Sequence, residues 1–104
     1  MTMKLKLVFL TALTTAISGA ALADGAKLYV KKACHGCHGK DGKKTVLPEY
    51  PRIAGQNVKY LEKQMLDIRS GARGNGNSEV MKGLMTTISD EEIKAIAQYV
   101  STLK

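Results

Sequence analysis

The sequence predicts an all-α fold, with three main helices and a short fourth one set around the pentapeptide Cys34-His35-Gly36-Cys37-His38. Two observations carry that prediction. Apolar residues recur at helical spacing in three stretches, at Ala26, Tyr29, Val30 and Ala33, then at Val58, Leu61, Met65, Ile68 and Ala72, then at Ile93, Ile96, Ala97, Val100 and Leu103. Between them lie glycine, proline and asparagine clusters of the kind that stop helices, and nothing in the chain reads as a βαβ unit.

The N-terminal residues 1–23 read as a secretory signal. Lys4 and Lys6 form a positive start, Leu7 to Ala16 is largely apolar, and Ala21-Leu22-Ala23 is an A-x-A cleavage site before Asp24. The apolar run is shorter than the ~20 residues of a membrane span. Cleavage would leave one domain, residues 24–104, in the periplasm, with no stable membrane insertion.

The first helix is expected to run from about Asp24, a candidate N-cap, into the pentapeptide. Gly39 and Gly42 break it. A polar loop over 40–47 and the rigid segment Pro48-Glu49-Tyr50-Pro51 follow, each proline turning its predecessor away from helix. Asn57 is a candidate N-cap for the second helix, which Ser70-Gly71 ends. Residues 73–78 form a Gly/Asn-rich loop, and Glu79 to Met85 a short helix. Ser89-Asp90-Glu91-Glu92 is a capping box with its acids at the favourable end of the dipole.

The pentapeptide carries the chemistry. C-x-x-C-H is a haem-attachment signature. Two thiols one helical turn apart reach neighbouring vinyl groups of a porphyrin and become thioethers, and the next residue, His38, lies under the iron as an axial ligand. The alternatives are poorer. A structural zinc needs about four ligands from two separated pairs, a redox dithiol needs a βαβ context, and a Cys34–Cys37 disulfide would close a very short loop. One such motif means one haem c and one iron. Outside the motif no histidine remains, and His35 is tethered between the two cysteines. The sixth ligand is therefore a methionine, a lysine or nothing. Once Met1 and Met3 leave with the signal, Met65, Met81 and Met85 are the methionines left. Met65 falls on the apolar stripe of its helix.

The motif Cys34-His35-Gly36-Cys37-His38-Gly39 is followed in order by Pro51-Arg52-Ile53-Ala54-Gly55-Gln56, Tyr60-Leu61, Gln64-Met65, Gly71-Ala72-Arg73, Met81 and Ser89-Asp90-Glu91-Glu92-Ile93. In these pieces the chain resembles the class I c-type cytochromes, of the small bacterial periplasmic monohaem type. The resemblance implies a cytochrome c fold, three main helices plus a short ligand-bearing helix around one covalently attached haem. It implies covalent attachment through Cys34 and Cys37 and axial ligation by His38 and Met81, since the family places its methionine about nine residues before the aspartate of the last helix, here Asp90. It also suggests a close Gly25/Tyr29 contact with the last helix, and the Pro48 carbonyl as acceptor for the His38 ring. Arg52 and Arg73 are candidates to approach the haem propionates.

The function implied is single-electron transfer, with no residue set that resembles a catalytic site. The alternatives are a haem subunit of a larger oxidoreductase, and a haem enzyme or gas sensor with an open sixth position. The formal charge is +7; without residues 1–23, 14 basic and 9 acidic side chains remain, a formal +5. Lys31, Lys32, Lys40, Lys43 and Lys44 flank the motif and could steer redox partner proteins with acidic docking surfaces. Modest charge without interleaved aromatics argues against nucleic acid.

A chain this small, with one Phe, four Tyr and no Trp, has little apolar mass of its own. We expect the haem-free protein to lack a cooperative fold. Thermal unfolding followed by circular dichroism should show a sharp transition with haem and a broad, low-amplitude one without it; a sharp transition in both would refute this.

Overall fold

The computed structural model describes residues 19–48, 50–74 and 78–104, and these form five helices with no strand among them. They are α1 (Gly19–Lys31), α2 (Cys34–His38), α3 (Val58–Ser70), α4 (Ser78–Met85) and α5 (Asp90–Ser101). Most of the expected signal segment lies outside the described residues. Its last residues, 19–23, belong to the start of α1, and Asp24 is therefore inside the helix and not at its N-cap. Alanine and leucine are strong helix formers, and residues 20–23 consist of nothing else, so the helix continues upstream.

α5 is the hub, packing against both α1 and α3, while α4 rests on α3 and α2 stays beside α1. Gly25 makes the α1/α5 crossing close. A Cβ there would run into the carbonyl oxygen of Ala95 and come within 2.6 Å of Tyr99 Cβ. One turn on, the Tyr29 and Tyr99 rings meet at 5.6 Å with a tilt of 58°, within the range favoured by aromatic pairs. The Gly/aromatic contact implied by the family resemblance is therefore present. Val30 departs from expectation: it is 57 % exposed. α1 has one helical partner besides short α2, so its buried stripe is narrower than its apolar sequence suggests.

The buried core joins Tyr29 of α1, Leu61, Met65 and Ile68 of α3, Met85 of α4, Ile88, and Ile93, Ile96, Ala97 and Val100 of α5. Tyr60 and Leu66, off the α3 stripe, are exposed, and Ala72 lies beyond the helix end and is exposed too. The caps follow the sequence. Asn57 Oδ1 accepts from Tyr60 N at 3.1 Å. Ser89 Oγ accepts from Glu92 N at 3.1 Å, and Glu92 Oε1 accepts from Ser89 N at 3.0 Å, a complete capping box. The Arg69 guanidinium donates to the Ile88 carbonyl at 2.8 Å and pairs with Asp90, tying α3 to the α4–α5 turn. Lys32 Nζ donates to the Thr87 carbonyl at 3.1 Å, so α1 reaches the same turn.

Two outcomes are expected. Gly25→Ala must separate α1 from α5 and should cost about 1–3 kcal/mol, the usual range for overpacking, read as a lower denaturation midpoint with unchanged slope. Ser89→Ala should cost ~1 kcal/mol. The hydrogen bond from Ser89 N holds the Glu92 carboxyl below its usual range, with Lys32 adding to the effect. A depressed carboxylate contributes stability above its unfolded value, near 4.3, and that contribution is lost as pH falls through the lower folded value. Melting temperatures of the wild type should therefore fall more steeply below about pH 4 than those of Glu92→Gln.

Candidate haem site

α1 and α2 are not one continuous helix. Lys32 and Ala33 form a turn between them, and Ala33 is left-handed, φ 65°, a conformation that costs a non-glycine residue roughly 1 kcal/mol. The turn re-aims the chain, and α2 then places Cys34, Cys37 and His38 together along one cavity. No disulfide joins the two cysteines. Burial pushes the Cys34 thiol up to about 11, against a smaller opposing pull from a backbone hydrogen bond. Reactive dithiols depend on the reverse shift.

The cavity is lined mostly by apolar side chains. α3 contributes Leu61, Met65 and Ile68, α5 contributes Ile96 and Val100, and Ile53 and Ile88 come from the connecting segments. α4 contributes Val80, Met81, Leu84 and Met85. α2 and α4 line the same cavity, yet among the described residues they do not pack on each other. The thiols and imidazole of α2 thus stand across open space from the thioethers of α4. An apolar, planar group with a thiol-reactive edge and a metal that takes nitrogen and thioether ligands fits this donor set.

His38 is 6 % exposed, the one buried polar side chain among the described residues. Its Nδ1 lies 2.9 Å from the Pro51 carbonyl oxygen. A carbonyl can only accept, so Nδ1 carries the proton and Nε2 keeps its lone pair for a metal. The acceptor is Pro51, not the Pro48 implied by the family resemblance. The loop explains the change. Gly39, φ 86°, turns the chain sharply after His38, where a Cβ would strike the Lys44 backbone. Asp41 Oδ1 accepts from Lys43 N at 2.9 Å and Lys44 N at 3.0 Å. The chain then returns so that Ile53 N donates to the Gly42 carbonyl at 2.9 Å. That return carries Pro51, two residues before Ile53, past the imidazole.

The three methionines differ in setting. Met65 and Met85 are buried in the core, Met85 only 2 % exposed, whereas Met81 is partly buried and packs against the core from outside. All three line the cavity. Arg73 also lines it, and donates to Gln64 Oε1 at 3.0 Å, while Arg52 is exposed and does not. Several lining residues escaped the sequence reading, Ile88, Ile53 and Gln64 among them. Ile88 lies in a turn, where no period marks it; Ile53 lies in an irregular loop; and Gln64 is polar but shares the α3 face of Leu61 and Ile68, three before and four after it.

Comparison with known proteins gives the family. The Cytochrome c family model matches residues 22–104. Cytochrome c-553 of Nitratidesulfovibrio vulgaris is 41 % identical over 92 residues, covering 88 % of this chain and 88 % of that protein. Cytochrome c4 of Azotobacter vinelandii is 38 % identical over 90 residues, covering 86 % of this chain but 40 % of its own length. The crystal structure of reduced recombinant cytochrome c4 from Pseudomonas stutzeri superposes with a TM-score of 0.73 at 30 % identity, over 84 % of this chain and half of that one. The chain thus spans nearly all of one relative and about half or less of the c4 proteins.

Single-motif haem attachment on an all-helical scaffold defines the class: a covalent c-type haem protein. The chain belongs to the cytochrome c family, the small bacterial class I kind, and its cofactor is one haem c with its iron.

Proposed function

We propose that this protein carries single electrons in the periplasm on one haem c, attached at Cys34 and Cys37 and ligated by His38 and Met81. The observation that carries the reading is the His38–Pro51 hydrogen bond inside an apolar cavity. It commits one ring nitrogen and leaves the other as a strong, fixed donor.

Bound there, the haem supplies a one-electron iron couple. The residues around it do the rest. Cys34 and Cys37 hold the cofactor edge to α2. His38 would present a fixed nitrogen to the iron, because its Nδ1–H is paired with the Pro51 carbonyl. Met81 is favoured over Met65 and Met85, which are already committed to the core. A thioether opposite an imidazole raises the reduction potential relative to two nitrogens. The apolar lining from α3 and α5 excludes water and limits reorganisation when charge changes. Were His38 and Met81 both to hold the iron, no ligand position would be left for substrate, and this favours a carrier over an enzyme.

Export places the domain where its motif can be loaded, and the reading includes cleavage after Ala23 to leave residues 24–104. Among the described residues no helix is long and apolar enough to cross a membrane. Lys31, Lys40 and Lys44 are exposed near α2, so they suit a redox partner with an acidic docking face.

The visible spectrum of the purified protein tests this in both redox states, with and without carbon monoxide. A low-spin spectrum with the weak far-red ferric band of thioether ligation, unchanged by carbon monoxide, is expected. Met81→Ala should abolish that band, whereas Met85→Ala should keep it and lower the melting temperature, as a buried Met→Ala costs about 2–5 kcal/mol. A high-spin wild type that binds carbon monoxide readily would replace the carrier reading with catalysis or sensing.

A further inference from the structure

Tyr29 does more than fill the α1/α5 crossing. The ring is 1 % exposed, and its hydroxyl donates to the Gly39 carbonyl at 2.6 Å, the carbonyl of the residue that follows His38. That same oxygen accepts from Gly42 N at 3.2 Å, closing the turn behind α2. The Gly42 carbonyl in turn accepts from Ile53 N at 2.9 Å and Ala54 N at 3.2 Å. Two residues before Ile53 is Pro51, whose carbonyl takes the His38 Nδ1 proton. A closed circuit results: Tyr29 hydroxyl, Gly39–Gly42 turn, residues 53–54, Pro51 carbonyl, His38 ring, and back through the peptide link to Gly39. Every other bond joining the 39–42 turn to residues 53–54 is between backbone groups; the pin from α1 is a side chain.

We propose that Tyr29 is a positioning residue for His38: its hydroxyl fixes the Gly39–Gly42 turn and thereby the distance from the Pro51 carbonyl to the imidazole. The proposal rests on the ligation reading above for its electronic consequence, but not for its geometric one. A short Nδ1–H···O bond gives the imidazole more electron density. That density stabilises the more highly charged iron and lowers the reduction potential. A longer bond does the reverse.

Tyr29→Phe removes one oxygen and keeps the ring against Tyr99, so the core stays filled. In the holoprotein the expected results are a shift of the midpoint potential to more positive values, and faster solvent exchange of the His38 Nδ1 proton and the Gly42 amide proton by NMR. The exchange gain should be about fivefold to tenfold, corresponding to the loss of one hydrogen bond of roughly 1 kcal/mol. Tyr99→Phe, which removes a hydroxyl from the other ring of the pair, should move neither readout. 3-Fluorotyrosine placed at position 29 makes a stronger donor, and should slow both exchanges and shift the potential negatively. An unchanged potential and unchanged exchange in Tyr29→Phe would overturn the proposal and leave Tyr29 as packing alone; equal shifts in Tyr99→Phe would do the same. A wild-type spectrum without histidine ligation would overturn the ligation reading by itself. The two proton-exchange rates would still decide the geometric linkage, which needs no ligated iron.

Discussion

The structure depends on one buried hydrogen bond, from His38 to a proline carbonyl. An imidazole deep in an apolar cavity loses its water, and an unpaired nitrogen there costs about 1–3 kcal/mol. The loop from Gly39 to Gly55 is shaped so that one nitrogen is paired by backbone. Proline suits the partner position. It has no N–H to compete and a fixed φ, so its carbonyl is held in place. The elements around the pair serve the same end. Ala33 turns α2 towards the cavity, Gly39 turns the chain away after it, and α5 receives the returning strand where Gly55 N donates to the Val100 carbonyl at 3.0 Å.

Packing energy in this small domain is divided unevenly. The α1/α5/α3 side has a core of interlocked side chains, with Ile93, Ile96, Ala97 and Val100 buried on one stripe of α5. The α2/α4 side encloses a cavity that this sequence cannot fill with its own aromatics. A cofactor in such a place is also core, contributing apolar contact on both faces. Ligand binding and folding are then two descriptions of one free-energy change.

What the sequence made legible was local. The spacing of Cys34, Cys37 and His38 is set within one helical turn. The caps at Asn57 and Ser89 involve residues three apart, and the buried faces of α3 and α5 follow their period. What escaped was tertiary. The acceptor for His38 lies 13 residues on, and the register of a loop closed by backbone bonds cannot be read from side-chain types. Ile88 is buried by the turn it lies in. Val30 has the right spacing but faces solvent, because α1 has few neighbours to cover it. Asp24 has the chemistry of a cap, but in the uncleaved chain the alanines ahead of it carry the helix past.

α4, like short α2, has a single helical partner. Among the described residues it packs on α3 and on no other helix, and the Gly/Asn-rich loop precedes it. Its downstream end, by contrast, is anchored twice, through Arg69 at Ile88 and Lys32 at Thr87. Along its length α4 gives Met85 to the core and packs Met81 against it. The thioether side of the cavity and the core of the domain therefore share one helix. A change that loosens α4 disturbs the cavity wall and the packing beneath it together.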